Sequence, residues 1–294
     1  MTDIGALVQA AIRDEWHLHL TALRAHDRGM NSRTWLAQES ERRWVAKAVP
    51  RAAHRRFVVG LEVAAIVDDS GIRTGRAELT ADGHAWLDVG GHTLALLRFV
   101  DGQPLTGDEP GEQRVIGSTL ARAHRALHGR EVAGAERFHW LDLEASHLDV
   151  EPWVRPAIGA ALAAYGELPP DSLTWGLLHS DPAPEAFLLD PESGACGLID
   201  WDFGLIGPLM YDVASAAMYV GGPTRASALV DAYLAEGPIS RTEVERALEL
   251  MLRVRWAVQA DYFARRLSAN DVTGMSDRRE NQDGLDDARA ALIG

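Results

Sequence analysis

"HSDPAPEAFLLDPESGACGLIDWDFG", residues 179–204, is the stretch on which the reading of the fold turns. Two apolar runs, Phe187–Leu189 and Gly197–Ile199, flank the turn-forming residues DPESGAC. Short apolar runs on either side of a Pro, Ser and Gly cluster predict a β-hairpin. Acidic residues bracket it, Asp181 just before and Asp200 just after.

Outward from the hairpin the pattern changes in both directions. From residue 110 the chain reads as mostly helical, beginning with PGEQRVIGSTLARAHRALHG, in which Val115, Ile116, Leu120, Ala123 and Leu127 share one face. Alanine-rich helical patterns recur at 155–166, 224–236 and 241–268. Before residue 101 the signals are those of strands: 20–26, 33–38, 43–49, 85–89 and 93–100. One helix, 53–69, interrupts them, with Phe57, Leu61, Ala64 and Ala65 at helical spacing. The expected organisation is α+β, with a strand-rich lobe over 1–100 and a helical lobe over 101–294 that holds the hairpin.

The composition narrows the function classes. A chain of 294 residues with 47% hydrophobic and 24% charged residues can bury a substantial core. One cysteine, Cys196, excludes an internal disulfide framework and fits a reducing compartment. The N-terminal residues lack the basic-then-apolar order of a secretory leader, and no run approaches a membrane span, so the cytoplasm is expected and no membrane partner. Residues 1–100 carry a balance of +1 and the remainder −15. Nucleic acid is therefore not an expected partner, because phosphate binding rests on clustered cations. The acidic second half either favours a cationic small molecule through its field or serves solubility alone. The 11 histidines show no paired spacing for a transition metal.

Lys47, in RRWVAKAVPR (42–51), is the only lysine in the chain. Every other basic residue is arginine. A lysine offers a compact ammonium on a thin stem where arginine brings a broad planar fork, so this strand position reads as one that needs the slimmer group.

The order of these pieces resembles the protein-kinase-like superfamily, and within it the aminoglycoside phosphotransferase and choline kinase branch. That branch is marked by His-Gly-Asp, four residues, Asn, a short hairpin and Ile-Asp-Trp; this chain has His179-Ser180-Asp181, the hairpin and Ile199-Asp200-Trp201. The resemblance covers roughly residues 20–220. It implies a bilobal protein-kinase-like fold and an ATP- and Mg2+-dependent phosphotransferase acting on a small-molecule hydroxyl, of an antibiotic-like compound, a sugar or an amino alcohol. It implies Asp181 as the catalytic carboxylate that receives the acceptor hydroxyl, with His179 supporting its loop and Asp212 capping a helix or supporting the same loop. Lys47 would reach the nucleotide phosphates, its stem held by Glu62. Gly29, Asn31 and Ser32 would form a lid over the phosphates, and the backbone of Arg98, Phe99 and Val100 would face adenine. Asp200 would ligate the metal and Asp202 would support it or face substrate. Glu151, Asp261 and Tyr262 would wall the acceptor site.

Two departures stand out. Ala186 occupies the position of the branch's metal-ligating Asn, and a methyl group cannot coordinate magnesium. Either Glu185 or water takes its place, or the chain is a catalytically impaired, nucleotide-binding regulatory member. The branch's Gly-Asp-Pro is here Gly207-Pro208-Leu209.

Overall fold

The structure, a computed structural model, describes residues 4–26, 30–138, 141–202 and 204–294. The chain runs α1 (Ile4–Glu15), β1 (Ala22–His26), β2 (Arg33–Glu39), β3 (Arg42–Pro50), α2 (His54–Asp69), β4 (Leu87–Val89), β5 (His92–Arg98) and β6 (Gln103–Pro104). It continues with α3 (Pro110–Leu127), β7 (Glu136–Arg137), α4 (Val154–Gly166), β8 (Trp175–Leu178), β9 (Phe187–Leu189), β10 (Cys196–Leu198) and β11 (Leu205–Pro208). Four helices close it: α5 (Met210–Tyr219), α6 (Ser227–Glu236), α7 (Arg241–Ala269) and α8 (Arg278–Ile293). Among the described residues, no helix is long and apolar enough to cross a membrane.

Two compact units emerge. One comprises 1–105, 129–136 and 185–205; the other comprises 106–128, 137–184 and 206–294. The hairpin, read from sequence as part of the helical lobe, packs with the first unit. The cause is strand pairing: β9 pairs with β10 (Phe187↔Leu198) and with β6 (Leu189↔Gln103), so the hairpin completes a small sheet of its own.

The first unit is organised by an antiparallel sheet of order β1-β2-β3-β5-β4. Its two faces are set by the period-2 alternation of β3. Trp44, Ala46 and Ala48 pack on one face with Trp35, Leu94 and Leu96 against Val8 and Ile12 of α1 and Trp16 just after it. Val49 on the opposite face packs with Phe57 and Leu61 of α2 and with Ala95. Lys47 shares the parity of Val49, and its cross-strand partner on β5 is Ala95. Alternation therefore sends the only lysine to the α2 side, where it is 7% exposed. Helix α1 carries the layer that sequence reading left unassigned; its Val8 and Ile12 are fully buried.

The second unit is helical around a core of small residues. Ala257, Ala260 and Ala264 of α7 pack with Ala157, Ile158 and Ala161 of α4 and with Leu285, Ala288 and Leu292 of α8. Ser240 caps α7 by accepting from the Glu243 N–H at 3.1 Å, and Asn270, in the left-handed region at φ 50°, ends it. A short sheet of order β7-β11-β8 leads into residues 179–181.

Candidate active site

In the first unit, the hairpin's exit strand delivers Asp200 and Asp202 to Lys47. The Lys47 ammonium lies 2.5 Å from Asp200 Oδ1 and also pairs with Asp202. Burial opposes the lysine's charge, but Asp202 and then Asp200 outweigh it, and the pKa rises above its ordinary 10.5. The stability this cluster contributes is therefore complete below 10.5 and is lost only as pH rises through the higher folded value. Lys47 is a fixed cation near neutrality.

The segment carrying these carboxylates is tightly held. Ile199 N–H donates to the Ala186 carbonyl at 2.9 Å, the Trp201 indole donates to the Leu198 carbonyl at 2.7 Å, and Asp202 N–H donates to the Asp200 carbonyl at 2.9 Å. Asp200 sits at φ +74°, in the region that L residues rarely adopt. Helix α2 lies directly against this backbone: a Cβ on Gly60 would stand 1.9 Å from the Trp201 carbonyl oxygen. Gly204 meets the same helix, where a Cβ would fall 2.2 Å from Val59.

The expected pairing of Lys47 with Glu62 is not formed. Glu62 is exposed, and the lysine's partners are the hairpin aspartates. Helical geometry explains it, since two residues beyond Gly60 the α-helix has turned by about 200° away from the face that meets Trp201. Asp202, expected as a supporting or substrate-facing group, is one of the two groups that hold the lysine.

In the second unit, the loop after β8 presents Asp181. The fully buried Asp212 of α5 organises it, accepting from the N–H of His179 at 2.7 Å and from that of Ser180 at 2.8 Å. His124 Nε2 lies 3.0 Å from Asp212, and Tyr233 Oη lies 2.7 Å from His124 Nδ1. Burial, then Asp212 and Glu243, push the Tyr233 phenol upward, so it stays protonated. Asp212 is thus a loop support rather than a helix cap. His179 and Ser180 are buried while Asp181 is exposed, so a rigid base offers one carboxylate to solvent.

Ser180 stands where the family pattern has glycine, and its φ is +81°. A non-glycine residue there costs about 1–2 kcal/mol. Glycine relieves that strain but raises the unfolded chain's entropy by about 0.4–1 kcal/mol. Ser180→Gly is therefore expected to stabilise the protein by up to about 1 kcal/mol, read as a higher midpoint in urea unfolding.

Sequence reasoning missed two residues that touch Asp181. Tyr219 Oη donates to its Oδ1 at 2.6 Å, and Arg255 Nη2 donates to the same oxygen at 3.0 Å. Nothing in the spacing marks Arg255, which is one of four charged residues buried along α7 with Glu243, Asp261 and Arg266.

The remaining expected residues are placed as follows. Asp261 is buried with both oxygens engaged, one by His147 and one by Arg265, each at 2.6 Å. Glu151 accepts from the Trp153 indole at 2.6 Å and from Gln282 at 2.9 Å. Tyr262 is half-buried beside Arg266, and burial raises its pKa. Arg98 donates to Glu78 at 3.0 Å, while Phe99 lies under the Arg43 guanidinium at 4.1 Å. Phe99 and Val100 follow the last β3–β5 pair, Trp44↔Arg98, outside the ladder. Asn31 is exposed, and Ser32 Oγ lies 3.4 Å from Thr34 Oγ1. Glu185 is exposed on the turn Pro184–Ala186. Gly29, like Phe203, lies outside the described residues. Among the described residues no group of three or more His, Cys, Asp or Glu could by itself hold a metal ion.

A sequence model of the phosphotransferase enzyme family matches residues 22–248. A homoserine kinase of Rhodopseudomonas palustris is 29% identical over 203 residues, 63% of this chain and 61% of that protein. The chain thus spans about three fifths of that relative's length. Among solved structures, amicoumacin kinase hAmiN in complex with AMP-PNP, Ca2+ and Ami superposes with a TM-score of 0.75 at 14% identity, covering 98% of this chain and 92% of that one. A microcompartment-associated aminopropanol kinase gives 0.72 at 17% identity, covering 98% and 95%. These likenesses establish the expected kinase-like α+β fold.

Proposed function

The chain belongs to the phosphotransferase enzyme family, and from that premise we propose that it moves the γ-phosphoryl group of ATP to a hydroxyl of a small molecule. The observation that carries this reading is the state of Asp181, an exposed carboxylate on a loop whose preceding N–H groups are fixed by a fully buried aspartate. Positioning and charge stabilisation supply most of the catalysis in phosphoryl transfer, and a rigidly held carboxylate does the positioning. The acceptor oxygen attacks the γ-phosphorus, and the bond to the β–γ bridging oxygen breaks with its electron pair leaving on ADP. Asp181 receives the acceptor's proton.

Lys47 serves the nucleotide's phosphates in this reading, with Asp202 and Asp200 holding its ammonium in place of Glu62. Phe99 and Val100 offer backbone groups to adenine, and Asn31 and Ser32 serve the phosphates. Asp200 fits a hard divalent cation, proposed as Mg2+, because its carboxylate is exposed and oxygen is the donor such ions take. Glu185, exposed one residue before Ala186, is the nearest further oxygen in sequence. A bound divalent ion would neutralise charge on the triphosphate.

An amine-bearing acceptor is the proposed substrate class. Residues 101–294 carry a balance of −15, and their field draws a cation from solution. Homoserine and aminopropanol, the compounds in two relatives' names, each carry both an amine and a hydroxyl. Asp261 and Glu151 are already hydrogen-bonded, so they serve the acceptor's wall through shape and field rather than as open ligands. A single cysteine supports a reducing compartment, so the cytoplasm is the location proposed with this reading. An ADP-release assay over a panel of amino alcohols, hydroxy amino acids and aminoglycosides tests the class. Turnover with a KM for acceptor that rises with salt is expected. Turnover confined to anionic acceptors, or indifferent to ionic strength, overturns the amine assignment.

A further inference from the structure

We propose that Arg255 and Tyr219 are positioning residues for the transfer step, clamping one oxygen of Asp181 so that the other faces the acceptor hydroxyl. The inference rests on the kinase reading above and adds two residues to it. Both donors converge on Oδ1: Tyr219 Oη at 2.6 Å and Arg255 Nη2 at 3.0 Å. Among the described residues no donor lies on Oδ2, and the Asp181 side chain is 56% exposed. A carboxylate with one oxygen anchored and one open cannot rotate without breaking two hydrogen bonds. The open oxygen is thereby aimed.

The clamp is itself anchored. Arg255 is 7% exposed, and its Nε donates to Ser215 Oγ of α5 at 2.9 Å. The same Nη2 also donates to Tyr219 Oη at 2.9 Å, which joins the two clamping groups to each other. The guanidinium lies 5.5 Å from the Tyr219 ring centroid, within reach of its π face. Both Ser215 and Tyr219 belong to α5, the helix whose Asp212 fixes the Asp181 loop by its backbone. Helix α5 thus holds the loop backbone through Asp212 and the carboxylate through Tyr219, and its Ser215 anchors Arg255 of α7 on the same oxygen. A buried arginine is costly to desolvate, and burial alone would lower its pKa. Tyr211, Tyr219 and Asp181 reverse that, so Arg255 is a permanent cation that donates and never accepts. A salt bridge serving stability alone would not need to leave the acidic partner's second oxygen open.

The test separates kcat from KM. Arg255→Met keeps the stem and removes the donors; kcat is expected to fall about 10²-fold, the usual cost of a misplaced catalytic group, with the KM for ATP unchanged. Arg255→Lys, which can restore one donor, should recover about tenfold of that loss, and Tyr219→Phe should lose about tenfold on its own. In an Asp181→Asn background Arg255→Met should have almost no further effect, because the residues act as a unit. If Arg255→Met does not fold, the exposed Tyr219→Phe and the conservative Arg255→Lys carry the test. Full kcat in folded Arg255→Met or in Tyr219→Phe, or a loss of the same size with and without Asp181, overturns the clamp while leaving the kinase reading intact. A wild-type chain inactive with every acceptor overturns the kinase reading first and the clamp with it.

Discussion

Asp181→Asn is expected to lower kcat by about 10³-fold, within the range for losing a positioned proton acceptor. Asparagine keeps the shape and an Oδ1 that can still accept from Tyr219 and Arg255, so the loop and its clamp survive. What changes is the open side, where an NH2 donor now meets the acceptor hydroxyl in place of a carboxylate oxygen. The loss should therefore fall on kcat and on kcat/KM equally, the sign of an interaction made only in the transition state. Steady-state ADP release measures it, with thermal unfolding as the check that the variant is folded. A variant retaining a tenth or more of the wild-type kcat would remove Asp181 from the reaction.

The second large effect is structural and falls on the nucleotide side. Gly60→Ala introduces a Cβ that would sit 1.9 Å from the Trp201 carbonyl oxygen, a backbone atom that cannot rotate away. Alanine's better helix propensity is worth about 1 kcal/mol. Overpacking against backbone costs about 1–3 kcal/mol and falls at the top of that range when no flexible side chain can yield. The clash wins, with a net loss of about 2 kcal/mol. Because the displaced carbonyl lies between Asp200 and Asp202 in sequence, the shift should also break their pairing with Lys47 and weaken ATP binding. Gly159→Ala in α4 is the control, since its Cβ would meet only Leu143 Cδ1, at 4.0 Å. It should be neutral or stabilising by up to about 1 kcal/mol. Urea unfolding and nucleotide titration of the two variants read the contrast; equal behaviour of both would contradict the close approach of α2 to the hairpin exit.

Much of this was legible in the sequence because it rests on local pattern. The hairpin showed itself through two short apolar runs about a Pro-Glu-Ser-Gly turn. Lys47 showed itself by being the sole lysine, and strand alternation then fixed which face it occupies. The roles proposed for Asp181 and Asp200 come from the resemblance of His179-Ser180-Asp181 and Ile199-Asp200-Trp201 to the family's motifs, since spacing alone shows only that both flank the hairpin. What was not legible rests on contacts far apart in the chain. Arg255 lies 74 residues from Asp181 and is one arginine among many, so neither type nor spacing singles it out. Glu62 has the right residue type on the right helix but points the wrong way, and only the close approach at Gly60 reveals which face of α2 meets the hairpin. Helix α1 has an apolar face at helical spacing, but nothing local to it says that the face covers the sheet. The hairpin's membership of the first unit depends on a two-residue strand, Gln103–Pro104, too short to leave a pattern.

The central claim, that this chain makes a phosphate ester of a small hydroxyl compound, is tested most directly by 31P NMR of the protein with ATP, magnesium and an amine-bearing alcohol. The account predicts a new phosphomonoester resonance that grows in step with ADP and is absent with Asp181→Asn. ATP that binds but yields no phosphomonoester with any acceptor, with or without excess magnesium, would contradict it and leave a nucleotide-binding regulatory protein whose Ala186 marks the lost metal ligand.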